Sequence, residues 1–238
     1  MNVLEVSHVK KQYGDRVVVN DISLSVKKGE CFGILGHNGA GKTTLVESIL
    51  GLRKVEGTIT LLNHDMKKRN QNLFNKIGVQ LQQSAYQDKI KVIEICEERA
   101  VLYHKKIDVN AKLKEFNLDM FKNNEVNSLS GGEKQRLSIM LASIHDPEVL
   151  FLDELTTGLD AVARREVWNY LKELKTKGKT IILTSHFMDE VEVLCDHVIL
   201  LENGKELIQD SVKNVIANSP YKTMEEAYLW YMKEEGLI

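Results

Sequence analysis

Cys31-Phe32-Gly33-Ile34-Leu35-Gly36-His37-Asn38-Gly39-Ala40-Gly41-Lys42-Thr43-Thr44 spells a buried strand, a glycine-rich loop and the start of a helix. The loop matches G-x-x-x-x-G-K-[ST], and residues 42–50 keep a helical pattern that Gly51 closes. Glycine lets the backbone wrap a phosphate with its N–H groups turned inward, while Lys42 adds a point charge. The Thr43 hydroxyl is placed to ligate Mg²⁺, and His37, Asn38, Ala40 and Thr44 complete the same cradle. A plain glycine turn is the competing reading. The strand before and the helix after argue against it.

Outward from the loop, residues 2–30 hold short alternating runs such as Val3-Leu4-Glu5-Val6 and Ile22-Ser23-Leu24-Ser25-Val26, parted by turn residues. These predict a small antiparallel sheet. Strand patterns recur at 57–62 and 76–81, and then Glu- and Lys-rich segments with helical spacing predict a helical insert. From Val149 the alternation returns, with apolar strands at 149–152, 180–184 and 197–201 and helices near 163–177 and 188–195. Apolar strands alternating with helices imply a parallel sheet covered on both faces. An amphipathic helix at 224–235 ends the chain.

The chain of 238 residues is 43% apolar and 28% charged, with two prolines, which excludes disorder as its main state. Its 32 basic and 34 acidic residues leave a net charge of -2, so no whole-protein positive field holds nucleic acid or an anionic membrane. Cys31, Cys96 and Cys195 lack C-x-x-C spacing and are expected as buried thiols in a reducing compartment. Charges interrupt every apolar stretch at the N-terminus, and no run nears the ~20 residues of a bilayer span. A soluble intracellular chain is expected.

Two further stretches carry chemistry. Val149-Leu150-Phe151-Leu152-Asp153-Glu154 is an apolar strand ending in two carboxylates, at the sheet edge where ligands bind in open α/β folds. Asp153 there can hold Mg²⁺ through water, and Glu154 can orient an attacking water. Leu129-Ser130-Gly131-Gly132-Glu133-Lys134-Gln135-Arg136 opens a helix with Ser130 as its cap, and its glycines leave the first N–H groups open to an anion.

Loop, L-S-G-G-E-x-Q-R and hydrophobic-Asp-Glu strand, in this order, resemble the nucleotide-binding subunit of an ATP-binding cassette (ABC) transporter over essentially the whole chain. The resemblance implies an α/β P-loop NTPase (RecA-like) core with an N-terminal antiparallel β subdomain and a helical subdomain insert. In one ABC ATPase domain, 1–82 and 146–212 are the β subdomain plus core, 83–145 the helical subdomain, and 213–238 a helical tail. It implies ATP and Mg²⁺ as ligands. It further implies Tyr13 stacking on adenine, a glutamine reaching Mg²⁺ and the attacking water, and His186 contacting the γ-phosphate. Gln82 fits the glutamine best, with Gln80 and Gln83 as neighbours open to the same role.

In such a family two subunits pack head to tail, so that Ser130, Gly131 and Gly132 of one face the ATP held by the other. Gly158-Leu159-Asp160 resembles the loop that crosses this interface. One departure stands out, since Leu155 occupies the place where the family usually has proline. The implied catalytic set is Glu154, His186, Gln82 and Lys42, with Thr43, Gln82 and Asp153 at the metal. Implied partners are separate transmembrane permease subunits and a second cassette, in a homodimer or heterodimer on the cytoplasmic face of the membrane, with export favoured over import. The rival is a soluble ABC ATPase serving translation or DNA maintenance. It lacks support here, because the chain shows one cassette, a short insert and no basic patch. A small-molecule kinase would leave Leu129 to Arg136 unexplained.

Overall fold

Alternating apolar residues pair the start of the chain into a hairpin of β1 (Asn2–Tyr13) and β2 (Arg16–Lys27). Leu4 stands opposite Val26, Val6 opposite Leu24 and Val9 opposite Ile22, and all six are buried, with a register shift between Val6 and Val9 keeping Val9 on the buried face. The computed structural model describes residues 1–68, 70–80, 86–103 and 106–234. After the hairpin, β3 (Cys31–Leu35) leads through the glycine loop into α1 (Lys42–Ile49), followed by β4 (Glu56–Leu61), β5 (His64–Asp65), α2 (Gln71–Phe74) and β6 (Ile77–Gln80). A helical stretch comes next, with α3 (Val92–Val101), α4 (Val109–Glu115) and α5 (Gly131–Ser143). Strand and helix then alternate through β7 (Val149–Asp153), α6 (Ala161–Thr176), β8 (Thr180–Ser185), α7 (Met188–Leu194) and β9 (His197–Glu202). The chain closes with β10 (Lys205–Ser211), α8 (Val212–Ala217) and α9 (Met224–Glu234).

These elements form two units, Met1–Asn70 with Thr180–Ile238, and Gln71–Lys179. The first unit holds an antiparallel sheet in the order β2-β1-β4-β5. It also holds β3 between β8 and β9, parallel to both, with β10 antiparallel on the far side of β9. Every residue of β3 and β8 is buried, which explains why these strands read as mostly apolar rather than alternating. Leu35 lies opposite Ser185 on one side and Leu200 on the other, so the glycine loop leaves β3 beside the ends of β8 and β9. That juxtaposition positions the first half of the candidate site.

The second unit pairs β6 with β7 in parallel, Gln80 opposite Leu152, and lays α5 across them. Its buried side chains include Leu113, Phe116, Leu118, Leu137 and Phe151. Glycine is demanded at position 78 by crowding, since a Cβ there would collide with the Ala142 carbonyl and meet Leu150 Cδ2 at 2.6 Å. α5 therefore rests directly on the β6 backbone. α6 begins at Ala161, two residues before the sequence pattern suggested, because the Asp160 carboxylate caps it by accepting from the Val162 and Ala163 N–H groups at 2.9 Å each.

All three cysteines are buried free thiols. Burial pushes Cys96 up to about 12 and Cys195 well above the ordinary thiol range, so both stay protonated and pack as small apolar groups.

The contact at Gly78 gives a direct expectation. Gly78→Ala should lower unfolding free energy by about 1–3 kcal/mol through overpacking. A urea-denaturation midpoint equal to that of the parent would show that α5 stands clear of β6.

Candidate functional site

The loop between β3 and α1 owes its shape to backbone angles that glycine tolerates, with φ of 150° at Gly36, 90° at Gly39 and 106° at Gly41. At Gly41 space adds a second demand, because a Cβ would lie 2.5 Å from the Val18 carbonyl oxygen. His37, Asn38 and Gly39 form an exposed crown, while Ala40, Gly41 and Lys42 are buried beneath it. The Lys42 ammonium donates to the carbonyls of Gly36 at 2.8 Å and His37 at 3.2 Å, so its charge is held against the loop rather than in solvent. Thr43 is exposed and Thr44 half-buried in the first turn of α1, at the helix end whose partial positive charge favours an anion.

His186 follows β8 and is half-buried beside the Phe187 ring, centroid to centroid 4.1 Å. Its turn is fixed by Ser185, whose hydroxyl donates to the buried Glu190 carboxylate at 2.6 Å and accepts from the Phe187 N–H at 3.0 Å. Strand register thus brings His186 to the side of the sheet from which the glycine loop departs. Tyr13 ends β1 with 43% of its surface exposed, and the Lys11 ammonium sits 4.7 Å from its ring centroid. An exposed aromatic ring of this kind can take a stacked base.

In the second unit Asp153 ends β7 and is 2% exposed. Its backbone N–H donates to Gln80 Oε1 at 3.1 Å, a cross-strand bond that ties the two strand ends together. Gln80 is thereby engaged with the carboxylate-bearing strand. Gln82, with its neighbour Gln83, lies outside the described residues. Glu154 is half-buried at φ 47°, a left-handed conformation uncommon for a residue with a side chain and typical of functional turns. A proline at position 155 would press Glu154 toward extended backbone, whereas the buried Leu155 leaves the left-handed form open.

Ser130 caps α5 in a capping box. Its hydroxyl accepts from the Glu133 N–H at 3.3 Å, and the Glu133 carboxylate accepts from the Ser130 N–H at 2.7 Å. The N–H groups of Gly131 and Gly132, in the first turn, have no intrahelical acceptor and stand at the positive end of the helix dipole. They open on a cleft of ≈ 260 Å³ shared with Arg136, Gly158 and Asp160. Arg136 donates to Glu166 at 3.0 Å across that cleft's wall. So Ser130, Gly131, Gly132 and Asp160, well separated in sequence, meet at one place.

Some contributors escape sequence reasoning. Glu190 supports the His186 turn from the next helix, and Glu202 contacts the phosphate loop from the end of β9. Neither carboxylate sits in a motif. For Glu202 the sequence offers only the Asn203-Gly204 hairpin turn after an apolar run, which places it at a strand end.

The similarities to known proteins agree with this geometry. Residues 19–157 match the family described as ABC transporter. The Nod factor export ATP-binding protein I of Cupriavidus pinatubonensis is 40% identical over 223 residues, covering 90% of this chain and 68% of that protein. Its namesake from Rhizobium sp. (strain N33) is 41% identical over 214 residues, covering 87% and 70%. The solved ATP binding subunit of an ABC transporter superposes with a TM-score of 0.84 at 23% identity, over 97% of this chain and 99% of that one, which speaks to the fold. A crystal structure of an ABC transporter cassette in its ADP conformation gives a TM-score of 0.80 at 26% identity, over 96% and 99%. With the phosphate loop, the Asp-Glu strand and the capped Ser-Gly-Gly helix in place on this fold, the chain belongs to the ABC transporter family, as one of its nucleotide-binding ATPase subunits.

Proposed function

We propose that this subunit hydrolyses ATP to drive export through separate membrane subunits, and that two such cassettes close head to tail around the nucleotide. Among the described residues no helix is long and apolar enough to cross a membrane. The names of its relatives, export ATP-binding proteins, support the direction. One observation carries the pairing. The anion-ready tip of α5 opens on a cleft that Gly158 and Asp160 also line. A second copy presenting its loop to that cleft gives the tip an anion to bind.

Within this reading each group has a definite task. The exposed crown N–H groups and the α1 N-terminus bind the phosphate chain, and Lys42 neutralises it. Tyr13 stacks on the base. His186 donates toward the terminal phosphate, and Glu154 orients water and takes its proton. The residues present suit a hard divalent cation, since Thr43 offers an exposed hydroxyl beside the loop and Asp153 a buried carboxylate at a strand end, with Gln82 as the third expected ligand. Bound Mg²⁺ supplies charge neutralisation at the phosphate oxygens. Hydrolysis splits off the terminal phosphate, and its departure removes the group that bridges the two cassettes and lets them part. The site acts from the cytoplasmic face of the membrane, where ATP is available.

Lys42→Ala should weaken equilibrium binding of Mg-ATP by at least about tenfold, the scale of a lost charge-assisted contact. Unchanged binding would remove the loop from its role. Glu154→Gln should keep ATP affinity, lose about 10²–10⁴-fold in turnover, and run as a dimer in light scattering with Mg-ATP. A variant that stays monomeric under saturating nucleotide would refute the head-to-tail arrangement. Tagged subunit drawn from native membranes should bring a polytopic membrane protein with it, and ribosomes or DNA in its place would move the assignment to a soluble ATPase.

A further inference from the structure

The phosphate loop is gripped from the β9–β10 turn at two points. At its base the Gly204 N–H donates to the Ala40 carbonyl at 3.0 Å, and the Gly204 carbonyl accepts from Asn20 at 2.7 Å. Gly204, at φ 77°, is packed against the same Val18 carbonyl that abuts Gly41, and a Cβ there would collide with it. At the crown the contact is ionic. Glu202, whose side chain is only 12% exposed, accepts from His37 Nε2 at 3.2 Å and from the Asn203 amide at 2.9 Å through one oxygen. The other His37 ring nitrogen, Nδ1, lies 2.7 Å from the Asn38 carbonyl. Both contacts form together only when both ring nitrogens carry a proton. Around this pair, Lys42 donates to the His37 carbonyl. Tyr228 of α9 is pushed above the ordinary phenol range by burial and by the Glu202 charge.

We infer that Glu202 is a positioning residue for ATP, which through His37 pins the crown of the phosphate loop to the β9–β10 turn before nucleotide arrives. The inference rests on the reading of this loop as the ATP site. Two effects of the carboxylate oppose each other. Its charge repels phosphate, while its tether spares the loop the entropy of ordering on binding. The tether prevails where the repulsion is offset by the paired imidazole and Lys42.

The test compares Glu202→Ala, Glu202→Gln and His37→Ala with the parent, singly and combined. Loss of a partly exposed tether should raise the Kd for Mg-ATP in Glu202→Ala by about three- to fivefold, with kcat at saturating ATP within about twofold. Glu202→Gln keeps an acceptor oxygen and should recover most of the affinity. Added to His37→Ala, Glu202→Ala should cost nothing more. In nucleotide-free protein, amide exchange at 37–40 should quicken in Glu202→Ala while the unfolding midpoint holds. Equal or tighter ATP binding by Glu202→Ala, or an undiminished cost in the His37→Ala background, would overturn the proposal. If Glu202→Ala does not fold, affinity in Glu202→Gln as weak as in His37→Ala would overturn it as well. Lys42→Ala separates the two readings. Its normal loss of binding beside an unaffected Glu202→Ala sinks the tether alone, and its full retention of binding sinks the site.

Discussion

The structure depends on one steric constraint, the passage of the chain from a wholly buried strand into a helix within six residues. β3 has no exposed position, and α1 starts at a buried lysine. Only left-handed glycines can turn the backbone that sharply, and Gly41 must also clear the Val18 carbonyl. The outcome is a glycine-rich loop with a lysine folded against its carbonyls. This gives a preorganised anion site whose conformational cost is met during folding rather than on binding.

A second theme is that capping residues also shape a cleft. Ser130 and Asp160 each close a helix start by ordinary local hydrogen bonds, at 3.3 Å and 2.9 Å. Those bonds fix the orientation of the two helix tips and so shape the cleft between them. Glu154 differs, since its left-handed backbone at φ 47° is a conformation a residue with a side chain seldom adopts.

Much of the fold was legible because burial writes itself into composition. Strands β3, β7 and β8 are buried throughout and appear as apolar runs, and α5 and α6 announce their starts through Ser130 and Asp160. β10 was not legible. It is a polar edge strand, exposed or half-exposed along its length, and its identity comes from pairing with β9 rather than from its own pattern. The two-residue β5 is too short to show any periodicity. In the same way Gln80 read only as a neighbour of the preferred Gln82, and its bond to the Asp153 N–H comes from strand pairing.

By itself the sequence determined the family, the phosphate loop, the carboxylate-bearing strand and the capped helix, because each is a contiguous run whose spacing is the mechanism. Tertiary structure alone decided that Glu202 meets His37, that Glu190 supports the His186 turn, and that Gly131 and Asp160 share a cleft. These contacts join residues whose separation along the chain follows no period. Which side chains meet there is set by strand register and helix packing, and neither is written in the local order of residues.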